Sequence, residues 1–122
     1  MLLYIFIKSK APSSPKLYYA IYNKNGTLLE KKRIDYNKEI KCSSYGTYDL
    51  LRYILTMIPK QYDNINSLVF YSCEEVVINQ LNQDCKVKKL LNPYNNVIDI
   101  LENIDFEVIF KFIPQRQLKL YL

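Results

Sequence analysis

No histidine occurs among the 122 residues, which removes the commonest general base and the commonest imidazole metal ligand together. The three cysteines, Cys42, Cys73 and Cys85, are odd in number and share no C-x-x-C spacing. Neither a zinc site nor a complete disulfide framework is expected, and a reducing, cytoplasmic setting is. With two glycines in the chain there is no GxGxxG and no Walker motif to cradle a nucleotide, so no cofactor is expected. Asp49, Glu74 and Glu75 stand near expected helix starts, where a carboxylate meets the positive end of a helix dipole. Ser72 opens the S-x-x-E run Ser72-Cys73-Glu74-Glu75. This spacing predicts a capping box, and no histidine or convincing lysine base accompanies Ser72 to make it a nucleophile.

What the chain has in excess is positive charge. Seventeen Lys and Arg against twelve Asp and Glu give +5 and a pI near 9.0, a bias toward acidic or nucleic-acid partners. Heavy use of Ile, Asn, Lys and Tyr, with only two Ala, also matches AT-rich coding and a phage, mobile-element or AT-rich bacterial origin. The run Lys31-Lys32-Arg33 falls on an expected strand, so Lys31 and Arg33 share one face. Together with Lys8, Lys10, Lys16, Lys86, Lys88, Lys89 and Arg116 they form the candidate surface for nucleic acid or another partner. Tyr18, Tyr22 and Tyr45, among twelve tyrosines, are candidate base-stacking platforms.

The elements that must position these groups follow from hydrophobic period. At 49% hydrophobic and 24% charged, a chain of this length makes one domain with one core, expected over residues 1–114 with a tail or extra strand at 115–122. The opening MLLYIFI is too short to span a bilayer and has no basic region before it, so it reads as a buried strand of a soluble protein with no membrane partner. Leu2 to Ile7 has no helical period and fits a central strand, bounded by the Ser- and Pro-bearing stretch Ser9 to Pro15. Leu17 to Asn23 and Thr27 to about Tyr36 are expected to form a hairpin about Asn23-Lys24-Asn25-Gly26. Leu50, Leu51, Ile54, Leu55 and Ile58 recur at helical spacing, with Pro59 expected to close the helix. A strand at Ser67 to Tyr71 leads into a helix capped by Ser72 and running to about Leu81. Another helix is expected with Asn92 as N-cap and Pro93 at its first position, and Phe106 to Phe112 alternates as a last strand. The order β-β-β-α-β-α-α-β demands a mixed five-stranded α/β sheet with helices packed on its faces.

In this order the chain resembles the ribonuclease H-like fold. IFIKSKAPSSPKLYYAIYNKNG is similar to that family's first hairpin, TYDLLRYIL to its first helix, and SLVFYSCEEVVINQL to its fourth strand and following helix. The family cuts the RNA strand of hybrids with two divalent cations, held by carboxylates on the first strand, in the first helix, at the end of the fourth strand and after the fifth. Carried onto this sequence, the first three places fall on Lys8, Thr47 and Ser72, none of them acidic, and Gln115 to Leu122 offers no carboxylate for the last. The family's final helix is expected to be missing.

The resemblance therefore implies a degenerate site. Hard divalent cations need several anionic oxygens, and a lysine ammonium repels them; no metal is expected. Asp49, Glu74 and Glu75 are the residues to inspect as displaced ligands. The expected function is a non-catalytic binding module for RNA, hybrid or a ribonucleoprotein, Lys8 offering phosphate a point charge. One alternative is a small phage or mobile-element inhibitor of a host defence complex, anti-CRISPR-like, acting by protein contact; another is a divergent metal-dependent nuclease. The alternating Leu118, Leu120 and Leu122 are expected to form an association strand, through which a homodimer is possible.

Overall fold

A computed structural model describes residues 1–10, 16–35 and 42–122. Five strands, β1 (Leu2–Lys10), β2 (Lys16–Asn23), β3 (Leu28–Asp35), β4 (Ser67–Ser72) and β5 (Glu107–Phe112), form one sheet in the order β3-β2-β1-β4-β5. Its first three strands pair antiparallel and β1-β4-β5 pair parallel. The parallel half thus runs from the centre to one edge. The apolar opening run takes the middle place because it is the strand that can be buried on both sides: Leu3, Ile5 and Ile7 are fully buried on one face and Phe6 nearly so on the other. The turn after β2 is built by Asn23, whose Oδ1 accepts from the N–H groups of Asn25 and Thr27, with Gly26 at φ +81°. Residues 11–15 of the expected first loop and Tyr36, the expected end of β3, lie outside the described residues.

Helices α1 (Ser43–Gln61), α2 (Glu75–Leu81) and α3 (Leu91–Leu101) all cover one face. Leu50, Leu51, Ile54, Leu55 and Ile58 of α1 are each no more than 1% exposed and pack on Leu3, Ile5, Leu68 and Phe70, the stripe that the period required. Tyr48 donates to Gln80 Oε1 at 2.6 Å, joining α1 to α2 in the core. Burial raises the Tyr48 hydroxyl above the ordinary phenol range, so it stays a donor.

Several expectations are corrected. Pro59 does not close α1, which runs on to Gln61: in the last turn the proline loses a single backbone bond, and Tyr62 N–H still reaches the Ile58 carbonyl at 2.9 Å. Asp49 lies beyond the first turn of α1, which holds no acidic residue. Ser72 is the last residue of β4 and forms no capping box; Glu74 takes the N-cap place of α2, and Ser72 Oγ accepts from Glu74 N–H at 3.0 Å in a local turn. Helix α3 starts two residues early, with Leu90 as N-cap, and Pro93 falls in its first turn where its missing N–H has no partner to lose.

The largest correction concerns residues 115–122. They do not form an association strand. Pro114 leads into a single helical turn, α4 (Gln115–Leu118), on the sheet face opposite α1–α3, so a short final helix is present. Leu118 is fully buried against Phe6 and Ile113, and Leu122 packs on the same cluster, whereas Leu120 is 80% exposed. Tyr121 stacks on Phe6 at 3.9 Å with planes 5° apart, and Tyr22 donates its hydroxyl to the Tyr121 carbonyl at 2.9 Å. The alternation that suggested a strand is the near-coincidence of a period of two with one turn plus a return.

Two outcomes test this packing. Gly46 of α1 sits so close to β1 that a Cβ there would lie 2.0 Å from Ser9 Oγ, so Gly46→Ala is expected to cost about 1–3 kcal/mol in denaturant unfolding and Ser9→Gly to restore most of it. Leu118→Ala is expected to cost about 2–5 kcal/mol by the same measurement; a change below about 0.5 kcal/mol contradicts a tail docked on its own sheet.

Candidate nucleic-acid interface

Chain direction fixes where a site can form. From β1 the chain turns toward β2 on one side, and from β4 it proceeds toward β5 on the other, so the carboxyl ends of this parallel pair diverge and leave a crevice. There a pocket of about 420 Å³ is lined by Lys8, Ser9 and Lys10 at the end of β1 and by Ser43 at the start of α1. Cys73 and Glu74, just after β4, and Gln115 and Lys119 of the C-terminal segment complete it.

The three carried-over positions separate here. Lys8 is half-buried and faces the pocket. Thr47 and Ser72 are each 1% exposed and outside its lining; Thr47 Oγ1 donates to the Ser43 carbonyl at 3.0 Å, and Ser72 turns toward the helical side. Cys73 stands at the pocket instead of Ser72, a shift of one residue that a strand converts into a change of face. Burial is the main cause that pushes the Cys73 thiol above its ordinary range, so it is a poor thiolate.

Of the acidic residues named from sequence, only Glu74 reaches the pocket. Ser44 Oγ donates to its Oε2 at 3.3 Å, and burial outweighs this bond, raising the carboxyl above the ordinary glutamate range. Asp49 lines the groove between α1 and β3 with Arg33 and Arg52, and Glu75 is an exposed first-turn charge of α2. A pair of divalent cations does not fit this donor set: among the described residues one carboxylate faces three lysines, and there is no group of three His, Cys, Asp or Glu able to hold a metal.

The remaining basic residues divide between two sides. Strand register puts Lys8, Tyr18 and Arg33 in one row across β1, β2 and β3, and Lys10 opposite Lys16 in the next. Lys31 shares the face of Arg33, which pairs with Asp35 at 3.4 Å, an exposed contact worth little net energy. This face also carries Tyr4, Phe6, Tyr22 and Tyr71. Lys86, Lys88 and Lys89 instead occupy the exposed loop between α2 and α3 on the helical side, where Tyr45 donates to the Lys89 carbonyl at 3.4 Å. Arg116 is exposed on α4. Sequence reasoning missed Ser9, Ser43, Gln115 and Lys119 as site residues. Ser9 was findable as the neighbour of Lys8 at a strand end; Lys119 was hidden inside the apparent alternation of the tail.

No protein-family model matches the sequence, and no curated protein matches it. Solved structures do. RNase H1 from the halophilic archaeon Halobacterium salinarum superposes with a TM-score of 0.82 at 10% identity, covering 98% of this chain and 90% of that one. The N-terminal RNase H domain from Mycobacterium tuberculosis gives 0.80 at 13% identity, covering 98% and 87%. LC11-RNase H1, solved in complex with an RNA/DNA hybrid, gives 0.78 at 14% identity, covering 98% and 90%. No helix among the described residues is long and apolar enough to cross a membrane. With its 3-2-1-4-5 sheet and near-complete superposition at low identity, the chain has the ribonuclease H-like fold.

Proposed function

We propose that this chain is a non-catalytic ribonuclease H-like module that binds RNA, free, in a hybrid or within a ribonucleoprotein, through the basic face of its sheet. The observation that carries the reading is the composition of the pocket at the ends of β1 and β4, where, among the described residues, Lys8, Lys10 and Lys119 face the carboxylate of Glu74 alone. Two hard cations placed there meet net positive charge, whereas a phosphate backbone meets its complement. The row Lys8-Tyr18-Arg33 extends that complement over three strands and Lys10-Lys16 over two, the second row ending in Asp35 on β3, with aromatic rings interleaved as a strand-tracking surface needs. The structural neighbour bound to an RNA/DNA hybrid supports the choice of ligand. An inhibitor acting by protein contact rests on small size, AT-rich residue usage, lost catalysis and an adhesive C-terminal strand; that last segment packs on its own sheet, which takes one of the four away.

Fluorescence anisotropy with labelled RNA and RNA/DNA hybrid tests the reading. Binding is expected to weaken steeply with salt, and the combined Lys16→Glu, Lys31→Glu and Arg33→Glu substitutions are expected to flatten the log K against log salt slope by about 2–3. The hybrid is expected to stay intact in magnesium and in manganese. Cleavage in either metal establishes the divergent nuclease, and salt-insensitive or absent binding removes the nucleic-acid reading.

The state of Glu74 gives a second check. Its folded pKa is raised, so the ionised form is disfavoured by folding; the resulting cost is absent below the ordinary glutamate range and grows as pH rises through the folded pKa. Glu74→Gln is therefore expected to raise Tm at pH 7–8 and to leave it unchanged near pH 4. A divalent cation on Glu74 reverses the trend, so a Tm loss in Glu74→Gln that appears only with magnesium contradicts the metal-free reading.

A further inference from the structure

Strand β3 is an edge of the sheet, and among the described residues no strand pairs with its outer side. Such an edge offers a row of backbone N–H and C=O groups to another chain. Register divides its side chains between two faces. Ile34 and Lys32 lie opposite Leu17 and Tyr19 of the helix-covered core, while Arg33 lies opposite Tyr18 on the other face, which Lys31 shares. Helix α1 packs chiefly on β1 and less on β2, so β3 overhangs it. Under the overhang lies a cavity of about 1000 Å³, more than twice the 420 Å³ pocket at the ends of β1 and β4. Leu17, Ile34, Met57 and Ile100 give it an apolar floor. Its wall is a flank of α1, where Asp49, Arg52, Tyr53, Thr56, Met57 and Lys60 recur at spacings of one, three and four. From Asp49 to Lys60 this flank is about 17 Å long, the reach of about five strand residues.

Charge selects the occupant. Among the described residues lining the groove, Lys32, Arg33, Arg52 and Lys60 outnumber Asp35 and Asp49, and Lys31 adds an exposed ammonium on the strand itself. A second copy of this chain brings the same basic β3, and like charges across a strand pair repel. An acidic chain meets its complement.

We propose that the β3 edge and the groove beneath it form a docking site for an extended acidic segment of a partner protein, added to the sheet as a sixth strand. Main-chain hydrogen bonds to β3 hold the segment, and its side chains alternate between the two faces. Those on the helical side are apolar and fill the groove over Ile34, Met57 and Ile100; those on the other side are carboxylates beside Lys31 and Arg33. Arg52 and Lys60 at the groove steer the acidic segment toward it. Lys31 and Arg33 are shared with the face offered to RNA, whereas the groove is not, and the site stands without the nucleic-acid reading.

The probe is an acetylated and amidated octapeptide of alternating Val and Glu, titrated at low salt into the isotope-labelled full chain and followed by NMR. Saturable shifts are expected at the amides of Lys31 to Asp35 and of Arg52, Tyr53 and Thr56, with hydrogen exchange slowed at every second β3 amide. The same peptide with Lys in place of Glu is expected to bind at least about tenfold more weakly. N-methylating the alternate peptide residues that face β3 is expected to abolish binding, and methylating the other set to spare it. Combined Arg52→Glu and Lys60→Glu, at exposed positions of α1, are expected to weaken the acidic peptide about tenfold with the fold intact by Tm. No saturable shift at β3, equal binding of the lysine peptide, or equal effects of the two methylation patterns overturns the proposal. Shifts at the β3 amides that grow with protein concentration before any peptide is added identify a second copy as the occupant, and shifts at Arg52, Tyr53 and Thr56 with RNA but not with peptide identify RNA; either result also overturns it.

Discussion

A reversal of strand direction at the middle of the sheet organises the whole molecule. Strand β1 is antiparallel to β2 and parallel to β4, so the chain leaves its two central strands toward opposite edges. Only where those exits part can side chains from β1, the first turn of α1 and the end of β4 converge. The antiparallel half needs no helix to join its strands and keeps a face open for polar groups. The parallel half needs crossovers, and α1, α2 and α3 supply the cover for one side of the sheet. The close approach of Gly46 to Ser9 draws α1 down until its N-terminus meets the strand ends. The same contact that seats the helix therefore brings its dipole to the pocket.

Electrostatics then decides which chemistry that convergence supports. The crevice of a ribonuclease H-like fold is a place for charge, and the sign is set by few residues. With Lys8, Lys10 and Lys119 against Glu74, the balance suits an anion. Burial adds to it: desolvation raises both the Glu74 carboxyl and the Cys73 thiol above their ordinary ranges, so the anionic form of each is costlier where a metal would require it. The opposite face of the sheet contributes a second kind of order. There Phe6 lies parallel to both Tyr71 and Tyr121, at 4.8 and 3.9 Å, and edge-on to Tyr22. These aromatic contacts fix the C-terminal segment and with it the position of Lys119.

The fold was legible wherever burial imposes a period. The stripe Leu50 to Ile58, the continuous run of β1 and the alternation of β5 each announce their element because a core excludes the other choice. Element ends were less legible, since Ser72, Asn92 and Pro59 are residues whose local bonds satisfy more than one backbone arrangement. The tail was misread because Leu118, Leu120 and Leu122 obey a period of two while only tertiary contacts with Phe6 and Ile113 decide their fate. The site was half visible. Lys8 was found from the fold, yet Cys73 and not Ser72 faces the pocket, because a one-residue slip at a strand end exchanges the two faces of the sheet. Lys119 carries no local signal at all, its place at the pocket arising from a returning segment far in sequence from the strand end that holds Lys8 and Ser9.

The central claim is that charge at the β1 and β4 ends has the sign that admits anions and excludes divalent cations. Paramagnetic manganese broadening of amide resonances measures this directly, with the exposed carboxylates Glu102 and Asp105 as internal references. Resonances of Lys8, Ser9, Cys73 and Glu74 that broaden no more than those beside Glu102 and Asp105 are the predicted result. Selective loss of the pocket resonances at the lowest manganese concentrations would contradict the account.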